Sequence, residues 1–476
     1  NASQDSTSNR TSKTLMPLKN AISDRLNLFQ RIRYSIFPGA YHGVMDRERY
    51  RHLFNSLLLH FRPQTVPRRT LNFTLTLGLG GMAVVLVCML FTTGLMLKFG
   101  YQPVPDRAYE SIVRLQNAVY FGQLIRNVHH WSGNALLLVA FLHFLRVFFS
   151  GAFHSPRQFN WVIGLVMYLL ALGSNFTGYL LPWDQLAFWA VTICTGMLDY
   201  IPGIGLGLQK LIRGGSDIGP ATLSIFFAIH TAIIPAGLIF LMPFHFWRIR
   251  KARGLVIPRK PEDDPQERGE SVATIPNLIV RELVVASVLI ALIMLISVMF
   301  NAPLEAKANP GLSPNPTKAP WYFAGLQELL LHFHPLFAVL VIPLIIIGGL
   351  FFLPYMRYDA ATAGVWFASQ QGRKMAVVAA AVGAIITPAS IAADEFVIDF
   401  AAWLPGVPAV ISNGLLPAAI VLAGIIGFYL LMKNRFRANN NEAIQAVFVL
   451  LLTAFVILTV TGIWFRGEEM ALGWPW

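Results

Sequence analysis

The chain has 476 residues, 55% of them hydrophobic and only 13% charged, with a formal net charge of +13. So apolar a composition excludes a disordered chain or an ordinary water-soluble domain, and the basic excess lies in loops between apolar runs rather than on any domain that could grip nucleic acid. The two cysteines, Cys88 and Cys194, sit inside apolar stretches, which excludes a disulfide framework and a C-x-x-C-H site for covalent haem.

Residues 1–20 are polar and rich in Ser and Thr, and are expected to form a disordered tail. Residues 21–70 alternate basic and aromatic side chains, as in RLNLFQRIRYSIF, and are expected to lie at the membrane interface as an amphipathic segment without crossing. Apolar runs follow at 71–98, 127–150, 160–181, 222–247, 280–300, 336–356, 375–392, 414–432 and 443–464, each long enough for about 30 Å of hydrocarbon. The fold class is therefore all-α, a polytopic membrane protein of about nine transmembrane helices. With the amino terminus on the cytoplasmic, negative side, that side receives Arg62, Arg68 and Arg69, then Arg157, the RIRKARG run, Arg357, Arg373 and Lys374, and finally KNRFR. This is the distribution the positive-inside rule requires. The opposite side carries the long loops 182–221 with LPWDQ, 301–335 with NPGLSPNPTKAPWY, and 393–413. The acidic PEDDPQERGE, 261–270, marks a boundary after the fourth span.

Two of the spans carry paired histidines. RNVHHWSGNALLLVAFLHFLR, 126–146, places His129 and His143 on nearly one helix face, about 21 Å apart along the axis. FAIHTAIIPAGLIFLMPFHFW, 227–247, places His230 and His245 about 22 Å apart and about 60° off a common line. With one span between them the two segments run the same way, so His129 comes level with His230 and His143 with His245. Two imidazoles facing at one depth are the axial ligands of a haem b iron. A single intramembrane histidine is more often a packing or proton-path residue, but four with matched spacing point to two haems at two depths. His130 points off that face and is read as interfacial. Arg126, one turn before His129, and Arg146, three residues past His143, stand at the levels where haem propionates need cations. Gly78, Gly94, Gly164 and Gly178 are expected to free room for haem edges in the first and third spans.

The order R-x-V-H-x-W, L-H-x-x-R, G-Y-x-L-P-W-D-Q and the second histidine pair resembles cytochrome b of the quinol:cytochrome c oxidoreductases, the cytochrome bc and bf complexes. The resemblance covers about residues 70–260. The fifteen-residue separation in the fourth span, with TGYLLPWDQLAFWAV, is closer to the chloroplast and cyanobacterial type. Residues 300–394, including NPTKAPWYFAGLQELL, resemble subunit IV of that type, here joined in one chain. The resemblance implies a four-helix di-haem domain over 71–260, a three-helix subunit-IV-like domain with the quinol-site loop over 261–394, and an extra two-helix region over 395–476.

It further implies the di-haem subunit of a bacterial bc-type complex in the inner, cytoplasmic-type membrane, working as a homodimer in lipid. In that family quinol is oxidised on the positive side. One electron goes to a Rieske iron–sulfur protein and then a cytochrome c, the other across two b haems to quinone on the negative side, and both protons leave on the positive side.

The quinol pocket of that family uses the G-Y-x-L-P-W-D-Q loop, here with Tyr179 and Asp184, and a P-E-W-Y motif, which stands here as Ala319, Pro320, Trp321 and Tyr322. Proline cannot titrate, so Glu328 or Asp184 is expected to receive the quinol proton; for Glu328 the capping or orienting of a surface helix is the alternative. The cysteine that holds an extra covalent haem in the chloroplast type aligns with Gly78, so no covalent haem is expected. In the basic run after His245, Arg250 is the residue expected to face a quinone or a propionate. Two rivals stand beside this reading. A cytochrome b anchor of a formate dehydrogenase or hydrogenase would lack LPWDQ with PWY, and a proton-coupled transporter would bind no haem.

Overall fold

The computed structural model describes residues 27–36, 65–252, 254–257, 270–358 and 364–474. The expected tail over 1–20, most of the interfacial segment over 21–70 and nearly all of PEDDPQERGE lie outside the described residues. In chain order come α1 (Leu28–Ile36), β1 (Thr65–Pro67), α2 (Leu79–Lys98), α3 (Pro105–Ala118), α4 (Gly122–Phe149), α5 (Gln158–Tyr179), α6 (Gln185–Gly196), α7 (Gly205–Arg213) and α8 (Pro220–Lys251). Then follow β2 (Ser271–Ala273), α9 (Thr274–Met299), α10 (Trp321–His332), α11 (Leu336–Tyr355), α12 (Gln370–Phe396), α13 (Ile411–Arg435) and α14 (Asn440–Phe465). Among the described residues nine of these helices, α2, α4, α5, α8, α9, α11, α12, α13 and α14, are long and apolar enough to cross a membrane, and they coincide with the nine apolar runs.

Local chemistry sets where the helices begin and bend. The first span starts later than its hydropathy, because Leu77 and Gly78 adopt left-handed φ of 52° and 65° and end a short turn of helix over Phe73–Thr76. Wide π turns interrupt α8 at Ile229–Ile233 and open α11 at Leu336–Val341 and α13 at Ile411–Leu415. Each is followed by a proline two residues on, Pro235, Pro343 and Pro417, whose missing N–H and ring crowding break the regular ladder one turn back. Strand β1 pairs antiparallel with β2, Thr65 opposite Ala273, and so brings the starts of α2 and α9 to the same end, as alternating spans require.

Helix α4 is the centre of the molecule: 44% of its apolar window is buried, against 28% or less in every other span. It packs on α2, α3, α5 and α9, so α9 shares a core with the helices before it through Ile293, Leu86, Leu136 and Val139. The far end of α4 supplies Phe148 and Phe149 to a second core with Phe153, Met375 and Ala379 of α12, Met432 of α13 and Ala443 and Ala446 of α14. The outward side chains of α9 and α13, such as Val284, Val288, Ile420 and Leu422, are exposed, as faces turned to lipid are. Helix α3 is amphipathic rather than spanning; it buries Ala108, Ile112 and Leu115 beside the loop end of the bundle.

Helix α14 begins with a capping box. The Asn439 side chain accepts from the Glu442 N–H at 2.9 Å and Glu442 Oε2 accepts from the Asn439 N–H at 3.0 Å. Asn439→Ala is expected to lower stability by about 1 kcal/mol, read as a drop in the melting temperature of the purified protein.

Candidate functional site

The two histidine pairs come together across α4 and α8. His129 and His230 face each other with ring centroids 6.1 Å apart, and His143 and His245 are near enough to feel each other's charge. Parallel α4 and α8 are the only arrangement in which both pairs match at once. The fifteen-residue spacing in α8 has a local cause: the π turn over Ile229–Ile233 absorbs one residue, which brings His245 back toward the line of His230.

Hydrogen bonds assign the tautomers of the first pair. The Thr93 hydroxyl spends its proton on the Met89 carbonyl at 2.7 Å, so its lone pair accepts from His129 Nδ1–H at 3.0 Å. His230 Nδ1–H donates to the Ser174 carbonyl at 2.9 Å. Both Nε2 atoms therefore keep a lone pair for a metal. Among the described residues no three His, Cys, Asp or Glu side chains converge as a metal ion held by protein alone would need. Each pair offers two ligands only, so a metal held there would take its remaining ligands from a group other than the protein, as a macrocycle supplies them.

A glycine stands against every ring. A Cβ would lie 3.1 Å from the His129 ring at Gly94, 2.5 Å from the His230 ring at Gly178, 3.5 Å from the His245 ring at Gly164 and 3.6 Å from the His143 ring at Gly80. The expectation for Gly78 is corrected here: a Cβ there would meet Val285 at 3.1 Å, and the residue serves the left-handed start of α2, while Gly80 takes the place beside His143. The signal was in the sequence, since Gly80 to Gly94 and Gly164 to Gly178 repeat the spacing of His129 to His143. Gly178→Ala is expected to push the His230 ring aside and to cost about 1–3 kcal/mol. Gly81→Ala, with nothing within 4 Å, is expected to leave the melting temperature unchanged.

Of the expected cationic partners, Arg146 is buried, donates through Nε to the Leu75 carbonyl at 2.9 Å and keeps Nη2 buried without a partner. That orphaned donor, with the glycine cradle and the facing imidazoles, fits a haem with an anionic edge. Arg126 is spent differently: Nη1 and Nη2 donate to the Ala302 and Pro303 carbonyls at 2.8 and 2.6 Å, tying α4 to the loop after α9. Arg250 stands half-buried in the last turn of α8, beyond His245.

The two long loops meet at the other functional surface. Asp184 caps α6, accepting from the Ala187 N–H at 2.9 Å, and its second oxygen accepts from the Glu305 N–H at 3.2 Å. The Gln185 N–H donates to the Ala306 carbonyl at 2.8 Å and the Ala308 N–H to the Trp183 carbonyl at 3.1 Å, so LPWDQ and residues 305–308 form one wall. Burial, with the neighbouring Glu305 charge, raises the Asp184 carboxyl against the opposing backbone hydrogen bonds and Arg126. Asp184 and Glu305 are both within electrostatic range of the Tyr179 hydroxyl. Tyr322 lies beside Tyr179, and its hydroxyl is raised mainly by burial and further by that neighbour. Trp321 donates through Nε1 to Asn134 Oδ1 at 2.6 Å, and Asn134 Nδ2 reaches His130 Nε2 at 3.2 Å. Asn134 carried no sequence signal.

Glu328 departs from this group. Six residues from Tyr322, it lies about 240° round the helix. It is fully buried against Arg466, with Nη2 to Oε1 at 2.7 Å. Sequence reasoning found nothing chemically pointed after residue 394; Arg466, a lone arginine after an apolar run, is the exception the structure reveals.

A family model described as cytochrome b/b6/petB matches residues 67–253, the stretch that holds all four histidines and LPWDQ. Cytochrome b6 of Synechococcus elongatus is 40% identical over 173 residues, 36% of this chain and 80% of that protein. Cytochrome b6 of Prochlorococcus marinus is 42% identical over 173 residues, 36% of this chain and 79% of that protein. Among solved structures, a chain of a hyperthermophilic respiratory complex III shares the fold, with a TM-score of 0.59 at 21% identity, covering 86% of this chain and 98% of that one. Since two residues in five agree across four fifths of the Synechococcus protein, the chain belongs to the cytochrome b/b6 family of haem-binding transmembrane electron-transport proteins.

Proposed function

We propose that this chain is the di-haem cytochrome b subunit of a bacterial bc-type complex, oxidising quinol at the loop end of the bundle and reducing quinone at the other. The observation that carries the proposal is the doubled arrangement of facing histidines, each ring against a glycine, at two depths of one helix pair. His129 with His230 would hold one haem b and His143 with His245 the other, with Arg146 Nη2 on a propionate. Bound there, haem supplies one-electron carriers at two depths, so one electron of a quinol can cross the membrane while the other leaves to a Rieske protein and a cytochrome c.

The chain's own residues bind quinol and handle its protons. Tyr322 and Tyr179 form the wall against which the quinol ring rests, and Trp321, pinned to Asn134, borders that wall. Asp184, whose raised carboxyl brings it nearer to neutral pH, is the proton acceptor of this reading. Arg126 fixes the loop that donates to Asp184. Arg250 serves the quinone end. Residues 261–394 stand in for a separate subunit IV, and the complex is a homodimer in the bacterial inner membrane with the amino terminus cytoplasmic, by the placement of the basic loops.

The test is a reduced-minus-oxidised spectrum of the purified complex, followed by reduction of its b haems with quinol. A colourless protein would leave the transporter reading standing. A protein whose haems are reduced by an attached dehydrogenase, but which cannot oxidise quinol, would favour the one-way anchor.

A further inference from the structure

The segment carrying Trp321 and Tyr322 is held from outside by residues 455–470. Gly325 fits against Thr459 and Phe455, where a Cβ would meet the Thr459 hydroxyl at 2.7 Å, and Gly462 sits under the Ala324 carbonyl, 2.9 Å from where its Cβ would be. Lys318 Nζ donates to the Ile463 carbonyl at 2.9 Å and the Glu469 N–H to Asn315 Oδ1 at 2.6 Å.

In the middle is a buried charge cluster. Arg466 forks over the Glu328 carboxylate, Nη2 to Oε1 at 2.7 Å and Nε to each oxygen at 3.1 Å. Its Nη1 donates to Glu395 Oε2 at 2.9 Å and to the Met470 carbonyl at 3.0 Å. His332 Nε2 lies 3.2 Å from Glu328 Oε1, and its Nδ1 lies 2.6 Å from Asp394 Oδ2. The facing groups are thus Glu328 and His332 from α10, Asp394 and Glu395 from α12, and Arg466 beyond α14. Three carboxylates meet one guanidinium and one imidazole, so the balance depends on whether that imidazole is charged. Removing a donor from a buried carboxylate of this kind leaves a charge that the helix must move to hydrate.

We propose that Arg466 and His332 position the Trp321–Tyr322 end of α10, so that residues 455–470 act as a clamp setting quinol affinity. The inference rests on the quinol pocket proposed above. Both are positioning residues, since neither touches Tyr322 or Asp184. Burial would lower the His332 imidazole, but its bonds to Glu328 and Asp394 outweigh this and hold it above the ordinary 6.5. Burial would raise the Glu328 carboxyl, but His332 and Arg466 outweigh it and hold it below the usual carboxylate range. A raised imidazole contributes fully below its ordinary value and is lost as pH rises through the raised one, while a lowered carboxyl stays ionised far into acid. The clamp therefore loosens on the alkaline side.

The test uses the complex purified with its partner subunits and tetramethyl-p-benzoquinol as the probe, with kcat and KM measured across pH. Arg466→Gln is expected to raise KM about tenfold at neutral pH with haem content and the dithionite-reduced spectrum unchanged. Arg466→Lys, which keeps the charge but not the fork, is expected to fall between that variant and the wild type. His332→Gln keeps hydrogen bonding without the titration and is expected to flatten the alkaline rise in KM. Unchanged KM in the Arg466 variants, or an alkaline rise that survives His332→Gln, would overturn the clamp. If Arg466→Gln does not assemble, Arg466→Lys decides on the same measure. A wild-type complex that oxidises no quinol would instead overturn the proposed pocket, and the clamp with it.

Discussion

Leucine in place of His230 is expected to yield a chain that binds one haem b instead of the proposed two, with quinol-driven reduction of the remaining haem down by more than about 100-fold. The reason is the specificity of the ligand set. His230 Nδ1 is committed to the Ser174 carbonyl, its ring stands 6.1 Å from that of His129, and no third described His, Cys, Asp or Glu side chain joins that pair. Leucine fills a similar volume against Gly178, so the helices stay packed and the loss is one of ligation rather than of folding. His143→Leu should give the complementary result, sparing the level nearer the loops. Pyridine haemochrome quantitation against protein mass decides both. Two haems retained in His230→Leu would show that this ring is a packing residue.

Asp184→Asn is the second large effect. Asparagine keeps an oxygen to accept from the Ala187 N–H and so preserves the cap of α6, but it cannot accept from the Glu305 N–H as well, a loss of about 1 kcal/mol in stability. What it removes altogether is the titration. If Asp184 receives the quinol proton, kcat for quinol oxidation should fall about a hundred- to ten-thousandfold. The sign of the pH dependence follows from the burial that raises this carboxyl: a base must be ionised to work, so wild-type activity falls as pH drops through the raised value. That acid limb should be absent from the residual activity of Asp184→Asn. A variant with wild-type turnover and an unchanged acid limb would return the role to another group.

The histidine pairs were legible because a helix maps residue spacing directly onto depth and face; the same arithmetic, applied to glycines, would have replaced Gly78 by Gly80. The 60° discrepancy in the fourth span was the visible trace of the π turn ahead of Pro235, although spacing alone could not say that a turn rather than a rotation absorbs it. Asn134 and Arg466 were not legible. Their partners lie 187 and 138 residues away, and nothing local in an arginine after an apolar run tells which buried carboxylate it will meet.

By itself, then, the sequence determined the nine spans, the matched depths of four imidazoles and the convergence of family motifs, because hydropathy and helical periodicity are local and one-dimensional. Only the tertiary structure decided which loop carbonyls take Arg126, which tyrosine stands beside Tyr322 and that Glu328 is buried against Arg466 beyond the last span. Those outcomes depend on how helices rotate and dock against one another, and the packing of distant side chains, not the pattern along any one segment, sets that rotation.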